Sequence, residues 1–445
     1  MKRALLSIAA ITTALTAAAQ QQWTLKDCID YAMQNNITLK QSKLARQTAT
    51  ETRRQSQAAL LPSLNATTSH NVGYKPWLET GTTTISNGTL NNKVTKSYYA
   101  GSYGLSASWL VWNGNQNHNQ LKIDKLSEQQ AELNTQVTAN SIQESITKLY
   151  VQILYTHEAI VVNEQSLEAS KKNEEQGRQM VEVGTMSKAE LAQLTAQRAT
   201  DEYNIVEAKA NLANFKLQLK QLLEITGTQP FDIAMPAASD QQALAEIPAL
   251  ADVYEHALAE RPEIKSAELA IQSSDIQIRQ ARAGHLPSIT LSGGVNTSTS
   301  SNNSKQWGDQ MKNNFDAAAG VGVNIPIFDN RKTRTAVNKA RISREQALLD
   351  MQSQQKKLFA DIEGYWLDAQ SNQQKFRSAQ ASVESQQASY NLLSEQFQLG
   401  LKNIVELMTG KANLLKAQQN RLQSKYTTIL NQQLLRFYQG EPMDI

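Results

Sequence analysis

The chain has 445 residues, a formal net charge of +3 at pH 7 and only 6% aromatic residues, with Ala and Gln recurring throughout. So small a charge gives no reason to invoke nucleic acid, and so few aromatics favour long helices over several packed globules. Apart from the N-terminal segment, no apolar run approaches the roughly 20 residues that a membrane-spanning helix needs, which excludes a helical integral membrane protein and leaves a β-barrel open.

Residues Met1 to Ala19 show a short basic start, a diluted apolar run from Ala4 to Leu15 and the small residues Ala17-Ala18-Ala19. That is the pattern of a secretory signal, so the mature chain is expected to begin near Gln20. The single cysteine, Cys28, has no partner for an internal disulfide and is either a buried thiol or a reactive one. Lys26 and Asp27 stand before it, where a lipid-attachment site needs small and apolar residues.

From Leu25 to about Gln57 apolar residues recur at helical spacing, with Thr24 as N-cap and Asp27 in the first turn. Leu61-Pro62-Ser63 stops this helix, and a polar, β-like stretch follows to Val72. A loop rich in Thr, Asn and Gly runs from Pro76 to Asn92. Tyr99, Gly101, Tyr103, Leu105, Ala107, Trp109 and Val111 then alternate with Ser102, Gly104, Ser106 and Ser108. Period-two alternation of this length fits a transmembrane strand with lipid on its odd side, or one strand of a soluble sandwich if it occurred only once.

After Trp112-Asn113-Gly114 the chain turns helical to about Gly177, with Ile142, Ile146, Leu149, Ile153, Ile160 and Leu167 as a coiled-coil seam. At 1.5 Å per residue the predicted helix is roughly 95 Å long. A second seam, Ile205, Ala208, Leu212, Phe215, Leu219 and Leu222, predicts an antiparallel partner. Residues 226–250 lose all periodicity and form a connector punctuated by Gly227, Pro230, Pro236 and Pro248.

Then the programme restarts. Leu250 to Ala283 matches Leu25 to Ala58, and Leu286-Pro287-Ser288 answers Leu61-Pro62-Ser63, with Pro62 and Pro287 standing 225 residues apart. Ile289, Leu291, Gly293 and Val295 predict a third strand, residues 298–312 a polar loop, and Phe315 to Ile327 a fourth strand with its apolar set at odd numbers. Ile327-Phe328-Asp329-Asn330 answers Val111-Trp112-Asn113-Gly114. A helix from Arg331 to about Gln396 carries Leu348, Met351, Gln355, Leu358, Ile362, Tyr365 and Ala369, and a last one to about Tyr438 carries Met408, Leu415, Leu422 and Ile429.

Between the members of each helix pair lies a glycine break with a carboxylate six residues on: Gly184 and Glu190 in the first, Gly400 and Glu406 in the second. Each break reads as the tip of a helical hairpin, with glycine ending the helix in left-handed geometry. The chain therefore divides into residues 1–19, a first repeat over 20–225, a connector over 226–250 and a second repeat over 251–445. One chain owns four strands of membrane-spanning character, which cannot close a barrel. An open edge in lipid leaves unpaired backbone groups, so oligomerisation must supply the missing strands, and a trimer gives twelve.

The Leu-Pro-Ser segments, the strand exits at Val111 to Gly114 and Ile327 to Asn330, and the tips at Val181 to Leu191 and Phe397 to Leu407 together make the chain resemble the TolC-like outer-membrane efflux channels. The resemblance spans essentially the whole mature chain. It implies an α+β membrane protein: a homotrimeric channel-tunnel with a 12-stranded β-barrel in the outer membrane, continued through the periplasm by an α-helical barrel. It implies docking on a periplasmic adaptor and an inner-membrane pump, with no step catalysed by the chain itself. By the same resemblance Glu406 falls on a position of the periplasmic gate's acidic ring, and Thr409 stands where a second carboxylate is often found. Lys402 and Glu190 fall on positions that link neighbouring hairpins, and Phe397 where many relatives carry tyrosine. Gly184, Thr185, Gly400 and Leu401 mark the turns that contact the adaptor.

Chemistry is sought elsewhere without result. His70, His118, His157, His256 and His285 form no ligand pattern, Gly410-Lys411 lacks a phosphate loop, and nothing places a nucleophile beside a base. The competing reading is an exported coiled-coil scaffold, which explains the heptads but not the four alternating strands.

Overall fold

The computed structural model describes residues 22–78, 83–85, 88–90, 96–227, 231–236, 238–303 and 305–444. The segment expected to be a signal, Met1 to Ala19, lies outside the described residues. In chain order the first half runs α1 (Leu25–Asn35), α2 (Ile37–Ala58), β1 (Ser63–Tyr74), β2 (Thr83–Ile85), β3 (Gly88–Leu90), β4 (Ser97–Trp112), α3 (Gln116–Glu182) and α4 (Lys188–Leu222). After α5 (Asp240–Ala243) the second half runs α6 (Leu250–Glu260), α7 (Pro262–Arg282), β5 (Ser288–Ser300), α8 (Trp307–Asn313), β6 (Asp316–Asn324), α9 (Lys332–Gln398) and α10 (Ile404–Tyr438). The duplication is plain in the elements, since α3 and α9 each have 67 residues and α4 and α10 each have 35.

The expected single helix from Leu25 to Gln57 is two helices, broken at Asn36. Asn36 leaves helical geometry (φ −58°, ψ 128°). Its side chain accepts from Leu39 N at 3.1 Å, capping α2, and donates to the carbonyl of Leu222 at 3.0 Å. The side chain thus caps α2, as Asn does at helix starts, and anchors the break to the end of α4. The second repeat breaks at the same place, Arg261 (φ −67°, ψ 131°), where Pro262 opens α7. Proline suits a first helical position because its missing N–H has no helical partner there.

The chain forms two compact units, each drawing on both repeats. The unit of Lys43–Asn134 and Lys265–Ser353 holds the strands. They form one antiparallel sheet in the order β1-β4-β5-β6, beside a small β2-β3 hairpin. Register decides what each face shows. Ala66 is opposite Leu105, Leu105 opposite Val295, and Val295 opposite Ala317; further along the same face, Trp109 is opposite Leu291, and Leu291 opposite Val321. The alternate rungs pair Asn65 with Ser106, Ser106 with Gly294, and Gly294 with Ala318, or Ser108 with Ser292 and Ser292 with Gly320. Because neighbouring side chains in a strand point to opposite faces, one face is an apolar band four strands wide, and the other is Ser, Gly and Asn. Helix α8 meets this face at Tyr103 and Thr297, but elsewhere its apolar residues are exposed, Val321 at 67% and Leu64 at 68%, and nothing among the described residues covers them.

Two expectations over 298–327 are corrected. The third strand runs on to Ser300, and what reads as polar loop folds into α8. That short helix is tied to β5 by Asn314 donating to Ser298 O at 2.6 Å and by the Gln310 side chain, which accepts from Ser300 N at 2.7 Å. The fourth strand is shorter than the alternation suggested, ending at Asn324 before Pro326, which has no N–H to donate to a ladder. In the same unit α2 and α3 run antiparallel, tied by Arg53 to Glu128 at 2.6 Å and Arg46 to Glu132 at 3.4 Å.

The other unit gathers α1, α4, α5, α6, α10 and the remaining lengths of α3 and α9. Its core joins Cys28, Ala32, Ile146, Tyr150, Ile153, Leu219, Phe376, Ile429 and Leu434. Cys28 is the buried thiol, fully enclosed, and burial pushes its pKa up to about 12, far from reactivity. The connector is part of this core. Trp23 makes a parallel bridge with Ile233, which is fully buried, and Gln373 donates to the carbonyls of Ala243 and Ala245 at 3.0 and 2.8 Å. Asp240 receives Arg421 at 2.7 Å and Lys425 at 3.3 Å, pinning α5 to α10.

Candidate functional site: the hairpin tips

The two tips are built alike, residue for residue. The first long helix runs on past Gly177, where its end was expected, to Glu182. Thr185 N bonds Met180 O at 2.8 Å and Gly184 N bonds Val181 O at 3.1 Å; in the second tip Leu401 N bonds Gln396 O at 2.9 Å and Gly400 N bonds Phe397 O at 2.9 Å. This is the Schellman closure, which needs a left-handed residue after the helix. Gly184 (φ +77°) and Gly400 (φ +73°) supply it.

The next helix starts with a capping box in both tips. Ser187 Oγ accepts from Glu190 N at 3.2 Å while the Glu190 carboxylate accepts from Ser187 N at 2.8 Å. Asn403 and Glu406 repeat this, at 3.0 and 3.3 Å. The carboxylate six residues past each glycine therefore has a local task, to satisfy amides that a helix start leaves free. Serine and asparagine at the first position and Glu three residues later are the sequence signal for it.

Glu406 does more than Glu190. Its second carboxylate oxygen accepts from Lys402 Nζ at 2.6 Å, and this bond, with that from Asn403, holds its pKa below the ordinary range. Glu190 is lowered by its bonds from Ser187 alone. Within the protomer, then, Lys402 pairs with Glu406 rather than Glu190. Phe397 is buried, in a cluster with Leu194, Tyr390, Ile404, Leu407 and Leu414, against which Met180, Met186 and Met408 pack. The cluster draws on both hairpins, so a ring at position 397 fills a core rather than facing solvent. At the tip end of α10 Leu407 is fully buried, one place before the expected Met408. The tips expose large apolar residues among their polar ones: Val183, Leu399, Leu401 and Val405, the least of them 62% exposed.

Inward of the tips lies a buried polar group that the sequence reading missed. Lys411 of α10 donates to Asp201 of α4 and to Ser170 of α3, and Ser170 Oγ donates to Asp201 at 2.6 Å. Side-chain exposures are 6% for Lys411 and 2% for Asp201. Burial holds the Lys411 ammonium below the usual lysine range, opposed by its bond to Asp201. One turn away Asn173 donates to the Tyr390 hydroxyl at 3.2 Å, and Glu174 takes Arg198 at 2.6 Å and Thr195 at 2.9 Å. Further along, Tyr426 donates to Glu158 at 2.6 Å. The bonds of Glu174 and of Ser170 to Asp201 hold α3 to α4, while those of Lys411, Tyr390 and Tyr426 tie hairpin α3/α4 to hairpin α9/α10. A signal existed: Asp201 is seven residues after Leu194 and four before Ile205, a charge on a seam position.

Two close helix approaches complete the packing. A Cβ on Gly177 would stand 2.5 Å from Leu194, and one on Gly410 2.6 Å from Leu393. In the first hairpin the glycine is on the long helix, and in the second it is on the short one. The two hairpins thus reach the same close fit with the large and small partners exchanged.

The chain matches the family model described as outer membrane efflux protein over residues 28–224 and 253–441. It is 23% identical over 429 residues to Outer membrane protein TolC of Vibrio cholerae, covering 96% of this chain and 93% of that protein. It is 22% identical over 421 residues to Outer membrane efflux protein BepC of Brucella suis, covering 94% and 85%. Among solved structures, CusC shares the fold with a TM-score of 0.80 at 19% identity, covering 94% of this chain and 92% of that one. The CmeC outer membrane channel of Campylobacter jejuni shares it with a TM-score of 0.76 at 18% identity, covering 100% and 94%. The fold is that of the outer-membrane channel-tunnels, and the place of such proteins is the outer membrane with a large periplasmic portion. Two matched segments, one per repeat, cover most of the length: the chain belongs to the outer membrane efflux protein family.

Proposed function

We propose that the chain forms a homotrimeric outer-membrane channel, a passive conduit from periplasm to exterior that opens at its helical tips when an adaptor and an inner-membrane pump engage it. The observation that carries the trimer is the sheet, whose four strands register every apolar set onto one face and leave β1 and β6 as free edges. In lipid an apolar band suits the outer face, but free edges do not, because each unpaired backbone group there costs several kcal/mol. Three copies joined edge to edge give twelve strands, an apolar exterior and a lumen lined with Ser, Gly and Asn.

In this reading Gly184, Thr185, Gly400 and Leu401 form the turns that meet the adaptor, and the exposed Val183, Leu399, Leu401 and Val405 give the contact its apolar character. Glu406 forms a threefold acidic ring, moderated by its own Lys402, and Glu190 and Lys402 stand where neighbouring hairpins meet. Phe397 sets the tip packing beneath them. The repeats are taken as residues 20–225 and 251–445, with a cleaved segment before them. Purification from the outer-membrane fraction tests the proposal: heat-modifiable trimers are expected, and a monomer in the soluble periplasm would refute it.

A further inference from the structure

The turn from β6 into α9 carries three cations in four residues, Arg331, Lys332 and Arg334, all exposed. Among the described residues none of the three has a side-chain partner. Their position is locally unfavourable. Asp329, just before the helix, caps it by accepting from Thr333 N at 2.7 Å, but the first turn itself holds no acid, so three cations stand against one carboxylate at a helix start, where cations oppose the helix dipole. Arg331 also sits at φ +66°, a region that a side chain with a Cβ enters at a cost. The first repeat meets the same turn with Gly114 at φ +66° and Asn115 at φ +67°, followed by Gln116 and His118. Neutral residues therefore make this turn equally well, and folding does not explain the charges.

The neighbourhood does. Just before the cations stand Ile325, Ile327 and Phe328, exposed at 60%, 96% and 83%. They follow β6 directly, Ile325 and Ile327 keeping the odd-numbered set of its apolar face, and lead to the helix start at the periplasmic edge of the lipid-facing band. Cations directly beyond an apolar band lie at the level of lipid phosphates. We propose that Arg331, Lys332 and Arg334 bind an anionic glycerophospholipid of the periplasmic leaflet, its acyl chains against Ile325 to Phe328 and its headgroup on the three cations. The phosphate offsets the positive charge that the single carboxylate of Asp329 leaves unbalanced. The first repeat, with Asn115, Gln116 and His118, has no such site, so each chain holds one lipid of this class. The inference rests on the outer-membrane placement and names the lipid that the placement selects.

The test is native mass spectrometry of the full-length channel titrated with phosphatidylglycerol or with phosphatidylethanolamine. The parent is expected to take one phosphatidylglycerol per chain in preference to phosphatidylethanolamine, more weakly as salt rises. Replacing the cations with the first repeat's residues, Arg331→Asn, Lys332→Gln and Arg334→His, keeps the turn and should weaken phosphatidylglycerol binding by about five-fold per cation, about a hundred-fold in all. The reciprocal variant, Asn115→Arg, Gln116→Lys and His118→Arg, should add a second lipid per chain. Equal phosphatidylglycerol binding in parent and neutral variant, or equal binding of the two lipids by the parent, would overturn the proposal. The same spectrum weighs the oligomer, so failure of the trimer appears as a changed protein mass, separate from the lipid count.

Discussion

Glu190 and Glu406 occupy equivalent places and do unequal work. Both close a capping box, and both carboxyls are held below the usual glutamate pKa of 4.5 by the bonds they accept. A carboxyl lowered in the folded state contributes stability in full above its unfolded value and loses it as pH falls through the folded one. Amide exchange at Glu190 and Glu406, corrected for intrinsic rate, should therefore lose protection as pH falls below about 4.5. Glu190→Gln should remove that pH dependence in the first tip, and a dependence that persists would show that another group titrates. At the second tip, Lys402→Gln leaves the acid of Glu406 unmatched and should strengthen channel block by multivalent cations, while Glu406→Gln should weaken it. Equal block in both variants would remove Glu406 from the pore. Thr409, exposed and uncharged, adds no second ring.

At the scale of elements, the exchanged glycines make a sharp prediction. Gly410→Leu drives a side chain into Leu393 and should destabilise the second hairpin by about 1–3 kcal/mol as an overpacked site. Adding Leu393→Gly rebuilds the arrangement of the first hairpin, Gly177 against Leu194, and should recover much of the loss in urea unfolding. The Lys411–Asp201 pair predicts a different pattern. Lys411→Met leaves Asp201 buried without its cation and should cost about 3–5 kcal/mol, whereas Lys411→Met with Asp201→Leu should come close to neutral. Additive losses in the double variant would show that the two residues do not act as a pair.

These elements also show where the sequence was legible. Heptad seams and period-two alternation revealed the long helices and strands, because each is a local repeat of one spacing. The break at Asn36 escaped, since no proline marks it and the bond that stabilises it reaches Leu222, 186 residues away. The Lys411–Asp201 contact spans 210 residues, and each partner alone passes for a solvated charge. The tip carboxylates were found from their spacing, but the reason for that spacing, a capping box, lay in Ser187 and Asn403 three residues before them. Helix α8 escaped because its seven residues are mostly polar and too few to show a period.

At the scale of the whole molecule, one sheet with two free edges and one apolar face demands partners, and family membership says what kind of structure they complete. Duplication supplies two similar tips per chain, yet only the second pairs its carboxylate with a lysine, so opening should be more sensitive there. Lys402→Glu removes that pairing, adds a second carboxylate beside Glu406 and should loosen the closed tip by repulsion. The most direct test of the account is single-channel recording in planar bilayers with the purified full-length protein. The account predicts discrete trimer conductance steps of small size in the parent, and larger steps for Lys402→Glu. A parent that carries no current, or conductance that Lys402→Glu leaves unchanged, would contradict a channel gated at its second tip.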